Sequence, residues 1–117
     1  RLLQLRQPLP FGALFPKVDA VVLHGGLGVT SEAVLAGVPI ITSGILLMDQ
    51  LYWAARVHEC GCGSEGVPVA QMLARVEGGN SRIVELTRLA LDQQEEGSWF
   101  HAARSLQQRI LQRRIEE

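Results

Sequence analysis

Residues 18–39 read VDAVVLHGGLGVTSEAVLAGVP, and this stretch decides the fold of the chain. Its apolar part, 19–23, predicts a strand buried on both sides, because it lacks the polar alternation of a strand with one wet face. A glycine loop at 24–28 leads into a short helix at 29–36, and Gly37 follows as a left-handed cap. Glycines let a ligand approach backbone amides, and a helix start adds free N–H groups and a positive dipole end. The junction therefore predicts an anion site, for phosphate above all.

The segments downstream continue the alternation of strand and helix. Residues 38–42 predict a second buried strand, which tolerates Pro39 near its first residue. Asp49 is expected to cap a helix that runs to about Glu59. Residues 61–68 indicate a short strand or loop, and further helices are expected at 69–76, 81–95 and 99–114.

Strands and helices that alternate over short connections predict a parallel α/β sheet. Only two strands are clear, and two strands make a poor core because one edge stays exposed. We therefore expect the C-terminal part of a doubly wound, Rossmann-like domain at 1–96, where 1–17 form a connecting loop with a short turn. A last helix is expected within 97–117. Because the chain starts with Arg, we interpret it as a piece of a longer protein.

Composition excludes several classes of protein. With 117 residues, 47% of them hydrophobic and 20% charged, a core-forming globular chain is expected. The net charge of −1 shows no basic excess that would favour nucleic acid as a partner. Cys60 and Cys62 lie too close for a disulfide framework, which favours a cytosolic setting. With His58 they lack a second ligand pair at zinc spacing, so no metal site is expected.

Two loops are expected at the carboxyl ends of the strands, where doubly wound sheets bind ligands. Glu32 can accept hydrogen bonds from two neighbouring hydroxyls, as on a ribose. Asp49 and Gln50, after the second strand, suit sugar hydroxyls. The first loop carries groups that suit a diphosphate: the imidazole of His24, the amides of Gly25, Gly26 and Gly28, and the hydroxyl of Thr30. Together the two loops predict a site for a nucleotide diphosphate sugar.

The runs LFPKVDAVVLHGGLGVTSEAVLAGVPII and DQLYWAARVHECGCG resemble the donor-binding domain of two-domain (GT-B) glycosyltransferases. The likeness is greatest to the sterol and lipid glucosyltransferases, and it extends to plant secondary-product and peptidoglycan-precursor transferases. It covers residues 8–64. The pieces that carry it occur in the order of the family: Leu14-Phe15-Pro16, His24-Gly25-Gly26, Ala36-Gly37-Val38-Pro39 and Asp49-Gln50.

The resemblance implies a role for each candidate residue. His24 and the backbone of 25–28 would contact the donor phosphates, with Thr30 adding a further contact. Glu32 would bind the ribose, and Asp49 with Gln50 would hold the transferred sugar. Two departures are visible: Val29 replaces a frequent hydroxyl residue, and the stretch 40–48 lacks the usual proline and aromatic pair.

The activity implied by the resemblance is transfer of a hexose, glucose first, from a UDP-sugar with inversion. The acceptor would be a hydroxyl of a sterol, a lipid-like molecule or another small compound. The UDP-sugar is a co-substrate, so no cofactor is expected. The family's catalytic base lies in the N-terminal acceptor domain, so no catalytic residue is assigned here. The chain is not expected to be active without that domain, in cis or in trans.

Three alternatives remain at this point. The chain could be a non-catalytic donor-binding subunit that needs a partner chain. It could also be a dinucleotide-binding dehydrogenase domain, since 26–31 approximate G-x-G-x-x-G but lack the third glycine. The last helix, within 97–117, could pack on its own domain or cross to the acceptor domain. A cytoplasmic location is expected, with peripheral membrane association as the variant.

Overall fold

The computed structural model describes residues 2–76 and 78–116. Its three strands are β1 (Val21–Leu23), β2 (Ile40–Gly44) and β3 (Val67–Pro68). They form one parallel sheet in the order β1-β2-β3. The helices are α1 (Phe11–Leu14), α2 (Leu27–Ala36), α3 (Met48–Glu59), α4 (Val69–Met72), α5 (Arg82–Leu91) and α6 (Trp99–Glu116), with a 3-10 turn at Phe15–Lys17.

The predicted α/β class is confirmed, and β2 shows why its sequence is apolar throughout. Neighbouring residues of a strand face opposite sides of the sheet. Ile40 and Ile41 are both buried, and they belong to different core clusters. One cluster comprises Phe15, Val21, Ala33, Ala36, Val38, Ile40, Val57, Cys62 and Ala103. The other comprises Ile41, Val67, Met72, Leu86 and Ala90.

The outer edge of β1 is the least covered part of the sheet. Within the described residues β1 pairs only with β2, in a register that places Val22 opposite Ile41. Val22 is 57% exposed, which is unusual for a valine in a parallel strand. The side of β1 that carries Val22 is therefore not covered, and the prediction that this strand is buried on both sides is wrong there.

Two helices are shorter than their sequences predicted. α4 ends at Met72, because the chain from Ala74 folds back: the N–H of Arg82 donates to the carbonyl of Ala74 at 2.9 Å. α5 ends at Leu91. Beyond it, the carboxylate of Asp92 accepts the backbone N–H groups of Gln94 and Glu95. Local side-chain and backbone hydrogen bonds thus compete successfully with one more helical turn.

The last helix packs on its own domain. α6 contacts α2 and α5, and Ala103 on its inner face is buried. Nε2 of Gln107 donates to the carbonyl of Leu35 at 2.9 Å, near the C-terminal end of α2. Gly37 caps α2 with φ +70, and a Cβ at this position would lie 2.5 Å from Oε1 of Gln107. Glycine therefore serves both the helix cap and the approach of α6. None of the described helices combines the length and the apolar character that crossing a membrane requires.

Gln107→Ala should lower the free energy of unfolding by about 1 kcal/mol, because the carbonyl of Leu35 loses its donor. Urea denaturation followed by circular dichroism measures this loss. Gln108→Ala is the matched control, since Gln108 is exposed on the same helix. Equal stability of the two variants would contradict a tethering role for Gln107.

Burial raises the pKa of the Cys62 thiol from 9.0 to about 11. The unfolded thiol therefore loses its proton at a lower pH than the folded one. We expect the stability that Cys62 contributes to be present below pH 9 and to fall as the pH rises towards 11. Denaturation midpoints measured across this range should fall less steeply for Cys62→Ala than for the unchanged chain. Parallel pH profiles would contradict the prediction.

Candidate functional site

The two candidate loops meet at the carboxyl edge of β1 and β2. Gly25 has φ +95, and a Cβ here would lie 2.8 Å from Cγ2 of Thr42 and 3.3 Å from the carbonyl of Gln50. Backbone conformation and space thus both require glycine. Gly44, at the end of β2, lies beside His24 in turn, with a Cβ position 3.8 Å from the Cβ of His24. The closeness of Gly25 to Gln50 brings the loop after β1 against the start of α3, as the sequence predicted.

His24 is oriented by its own loop. The N–H of Gly26 donates to Nδ1 of His24 at 2.9 Å, and a Cβ at residue 26 would lie 2.5 Å from Cε1 of the ring. Because Nδ1 accepts this bond, the proton of the neutral imidazole sits on Nε2. The exposed ring can therefore donate from Nε2 to an anion. The amide of Gly26, by contrast, is already used within the loop.

The start of α2 has no side-chain cap. Its N-cap residue is Gly26, and the first intrahelical bond runs from the N–H of Thr30 to the carbonyl of Gly26 at 3.0 Å. The N–H groups of 27–29 precede that bond and have no partner within the helix. A Cβ at Gly28 would meet no atom within 4 Å, so a ligand has room to approach this turn. The uncapped helix start thus lies where the sequence predicted an anion site, and anion binding there stays a prediction.

Thr30 lies differently from the expectation of a helix-start contact. α2 begins at Leu27, two residues before the predicted start, so Thr30 is already one turn inside the helix. Its hydroxyl is buried and has no hydrogen-bond partner among the described residues. Thr30 lines a cavity shared with Trp53 and Leu106, between α2, α3 and α6. A contact of this hydroxyl with a phosphate stays a prediction.

Val29 occupies the loop side of the helix instead. Together with His24 it lines a cavity of about 460 Å³ beside β1. Adjacent helical residues point in directions about 100° apart, so the side chains of Val29 and Thr30 face different sides of α2. The backbone amides and His24 remain as the candidate groups for binding an anion.

Glu32 belongs to α2, and its side chain faces α1. It is half-buried, and its Oε2 is 3.4 Å from the position that a Cβ of residue 12 would occupy. No ion pair involves Glu32 in the described part of the chain, so both carboxylate oxygens can accept hydrogen bonds. Gly12 therefore lies directly beside this carboxylate.

The start of α3 is capped by Gln50 and not, as predicted, by Asp49. The N-cap of α3 is Leu47, so the prediction that Asp49 caps this helix is wrong. Gln50 performs the capping: its Oε1 accepts the N–H of Leu47 at 3.0 Å, which leaves Nε2 free to donate. Asp49 lies exposed in the first turn, with no capping duty. It is also not at the end of a strand, where a dinucleotide-binding fold would need its acid.

The loop before α3 is held in an unusual conformation. Leu46 is buried and has φ +58, a left-handed geometry that costs a leucine about 1 kcal/mol or more. Its Cδ1 lies 3.1 Å from the Cβ position of Gly66, which leaves no space for a larger residue there. The buried side chain thus anchors the loop that replaces the family's proline and aromatic pair.

The cysteine segment does not assemble a metal centre. Among residues 2–76 and 78–116, no three of the potential ligands His, Cys, Asp and Glu come together. His58 instead lies with Nδ1 at 3.2 Å from the carbonyl of Gly63 and Nε2 at 3.5 Å from Glu65.

One residue near the site was missed by sequence reasoning. Phe11 stacks on Phe15 with a centroid distance of 4.8 Å, and it lines the same cavity as His24 and Val29. The spacing of four residues between the two rings was a visible signal, but 1–17 were read only as a connecting loop with a turn.

Residues 3–92 match the protein family described as the erythromycin biosynthesis protein CIII-like C-terminal domain. The chain belongs to this family. It is a family of C-terminal, donor-binding domains of GT-B glycosyltransferases, which confirms the resemblance seen in the sequence.

Curated relatives carry the same stretch within much longer proteins. A terpene cyclase–glycosyl transferase fusion protein of Humicola fuscoatra is 40% identical over 70 residues, which are 60% of this chain and 5% of that protein. An O-mycaminosyltylonolide 6-deoxyallosyltransferase of Streptomyces fradiae is 44% identical over 59 residues, which are 50% of this chain and 14% of that protein. A sterol 3-beta-glucosyltransferase of Arabidopsis thaliana is 40% identical over 68 residues, which are 58% of this chain and 11% of that protein. The chain therefore spans a seventh or less of these relatives.

Solved structures agree on the fold. A calicheamicin glycosyltransferase matches with a TM-score of 0.69 and 29% identity over 92% of this chain and 24% of that one. The glycosyltransferase SnogD of Streptomyces nogalater matches with a TM-score of 0.65 and 24% identity, over 90% and 24% of the two chains. At its lower identity the second match shows the fold alone.

Gly26→Ala should displace the imidazole of His24, because the new Cβ would fall on the ring, and it should lower the melting temperature. NMR of the His24 ring, by its Cε1–H shift, reports the displacement. Gly28→Ala is the matched control: its Cβ meets open space, and alanine favours a helix over glycine. An unchanged ring signal in Gly26→Ala would contradict this account of the loop.

Proposed function

We propose that this domain binds the UDP-sugar donor of a glycosyltransferase that moves a hexose, glucose first, with inversion. The acceptor is a hydroxyl on a sterol, another lipid-like molecule or a small compound. The observation that carries the proposal is the closeness of Gly25 to Gln50, which brings the uncapped start of α2 near Asp49 and Gln50.

The diphosphate lies at the start of α2 in this proposal. Amides of the first helical turn point at it, the dipole of the ten-residue helix favours its negative charge, and His24 donates from Nε2. These fixed donors also stabilise the charge that develops on UDP as the sugar leaves. The ribose hydroxyls lie against the carboxylate of Glu32.

The sugar lies at the start of α3. Asp49 accepts hydrogen bonds from sugar hydroxyls, and Gln50 donates from the nitrogen that its capping bond leaves free. Relatives described as a 6-deoxyallosyltransferase and as sterol 3-beta-glucosyltransferases support a hexose as the transferred group. The sterol transferases among them support a lipid-like acceptor.

Proton removal from the acceptor belongs to a base outside this chain, in the acceptor domain. That domain acts in cis or is supplied by a partner chain, and the donor site is the same in both cases. The UDP-sugar is a co-substrate, and the proposed transfer uses no bound cofactor.

Glu32→Ala should weaken UDP binding roughly tenfold or more, because hydrogen bonds to a charged acceptor are lost. Binding of inorganic pyrophosphate should not change, since it has no ribose. Isothermal titration calorimetry measures both ligands. Glu59→Ala, at the exposed far end of α3, is the control. Equal loss for the two ligands would contradict the ribose assignment.

Asp49→Asn should lower the rate of sugar transfer more than it lowers UDP affinity, because Asp49 touches only the sugar in this proposal. The assay is UDP release from UDP-glucose by the domain together with its acceptor domain. Asp19→Asn, exposed before β1, is the matched control. Failure of the unchanged domain to bind UDP would overturn the proposed function itself.

A further inference from the structure

A second cavity, which we call the three-helix cavity, lies between α2, α3 and α6. Its volume is about 340 Å³, within the usual range for small ligands. The apolar side chains of its wall include Leu27, Val34, Trp53, Val57, Leu106 and Ile110. Among the described residues it shares no lining residue with the cavity at His24, and Thr30 is the one candidate donor-site residue at its wall. An occupant of the three-helix cavity therefore leaves the donor site open.

The wall of the three-helix cavity is apolar but incompletely covered by protein. Val57 is 5% exposed and belongs to the core, whereas Trp53, Leu106 and Ile110 stay partly in contact with water. Removing such apolar surface from water is favourable, and an apolar ligand in the cavity would remove it. The three-helix cavity thus suits a hydrocarbon chain.

Both charged residues in the described lining of this cavity are cations. Arg56 lies on α3 and Arg114 on α6, and both side chains are exposed. Arg56 already pairs with Glu59 at 2.7 Å, but the two side chains are 55% and 59% exposed, and a surface pair of this kind contributes little to stability. The guanidinium can therefore exchange Glu59 for the anionic group of a ligand.

Thr30 adds an unpaired donor to the same lining. It is 5% exposed, and its hydroxyl has no hydrogen-bond partner among the described residues. A buried hydroxyl without a partner lowers stability, so a ligand that brings an acceptor is favoured here. A carboxylate accepts hydrogen bonds from a hydroxyl and from a guanidinium alike.

We propose that the three-helix cavity binds an anionic amphiphile, namely a medium-chain fatty carboxylate. Its alkyl chain lies against Trp53 and Ile110, and its carboxylate lies at Arg56 and Arg114. Burial of the chain supplies most of the affinity, and the two cations select an anionic head. This inference does not rest on the proposed function, because neither a nucleotide nor a sugar takes part in it.

The test is calorimetric titration of the chain with octanoate and with octanol, which has the same chain length but no charge. We expect saturable binding of octanoate and about tenfold weaker binding of octanol, because octanol cannot pair with the arginines. Labelling of Cys60 with iodoacetamide, followed by mass spectrometry, is a second readout. Cys60 is exposed and lines the cavity, so octanoate should slow its alkylation.

Two substitutions place the ligand. Arg114→Gln should weaken octanoate about fivefold and leave octanol unchanged, because it removes the charge and not the apolar wall. Arg113→Gln is the matched control, since Arg113 is exposed on the same helix and lies outside the lining. Ile110→Trp should fill the cavity and abolish octanoate binding, with circular dichroism to verify that the chain is folded.

Each outcome supports or contradicts the inference. No saturable binding of octanoate by the folded chain would overturn it. Equal affinity for octanoate and octanol would refute the anionic head, and equal octanoate affinity in Arg114→Gln and Arg113→Gln would refute its position. An unchanged rate of Cys60 alkylation at saturating octanoate would show, without any substitution, that the ligand lies elsewhere.

Discussion

The parallel pairing of β1 with β2 is the interaction on which the rest of the structure depends. It brings the carboxyl ends of both strands to one edge, so the loop after each strand reaches the other. Burial of Ile40 on one face and Ile41 on the other holds the pair between two layers of helices. Without that double burial, the contact of Gly25 with Gln50 would have no rigid support.

The site itself is made of groups that the fold leaves unsatisfied. α2 starts without a side-chain cap, and Gln50 spends one oxygen on the start of α3 while keeping its nitrogen free. The loop between them carries a left-handed Leu46, a strained conformation that burial of its side chain offsets. Unpaired backbone donors and a strained backbone both lower stability. Both lie at the starts of α2 and α3, where the proposed ligand would bind.

Sequence reasoning misplaced some parts of the candidate site. The helix after β1 was expected to start at 29, because Gly28 reads as loop. The structure continues the helix through Gly28 from Leu27, and this two-residue shift turns Thr30 inward and Val29 towards His24. Asp49 was expected as a cap because its residue type favours caps, but the N-cap residue is Leu47, whose N–H donates to the side chain of Gln50. Propensity is a weak guide where packing sets the exact boundary.

Hydrophobic pattern and glycine position alone determined the α/β class, the positions of β1 and β2, the left-handed cap at Gly37 and the glycine turn before α2. These features are local, since they depend on periodicity and on allowed backbone angles within a few residues. Only the tertiary structure decided which side chains face the site, because that depends on where each helix begins and on which neighbour it packs against. The stacking of Phe11 on Phe15 beside His24 is such a case, because these side chains come together only where α1, β1 and α2 pack against one another.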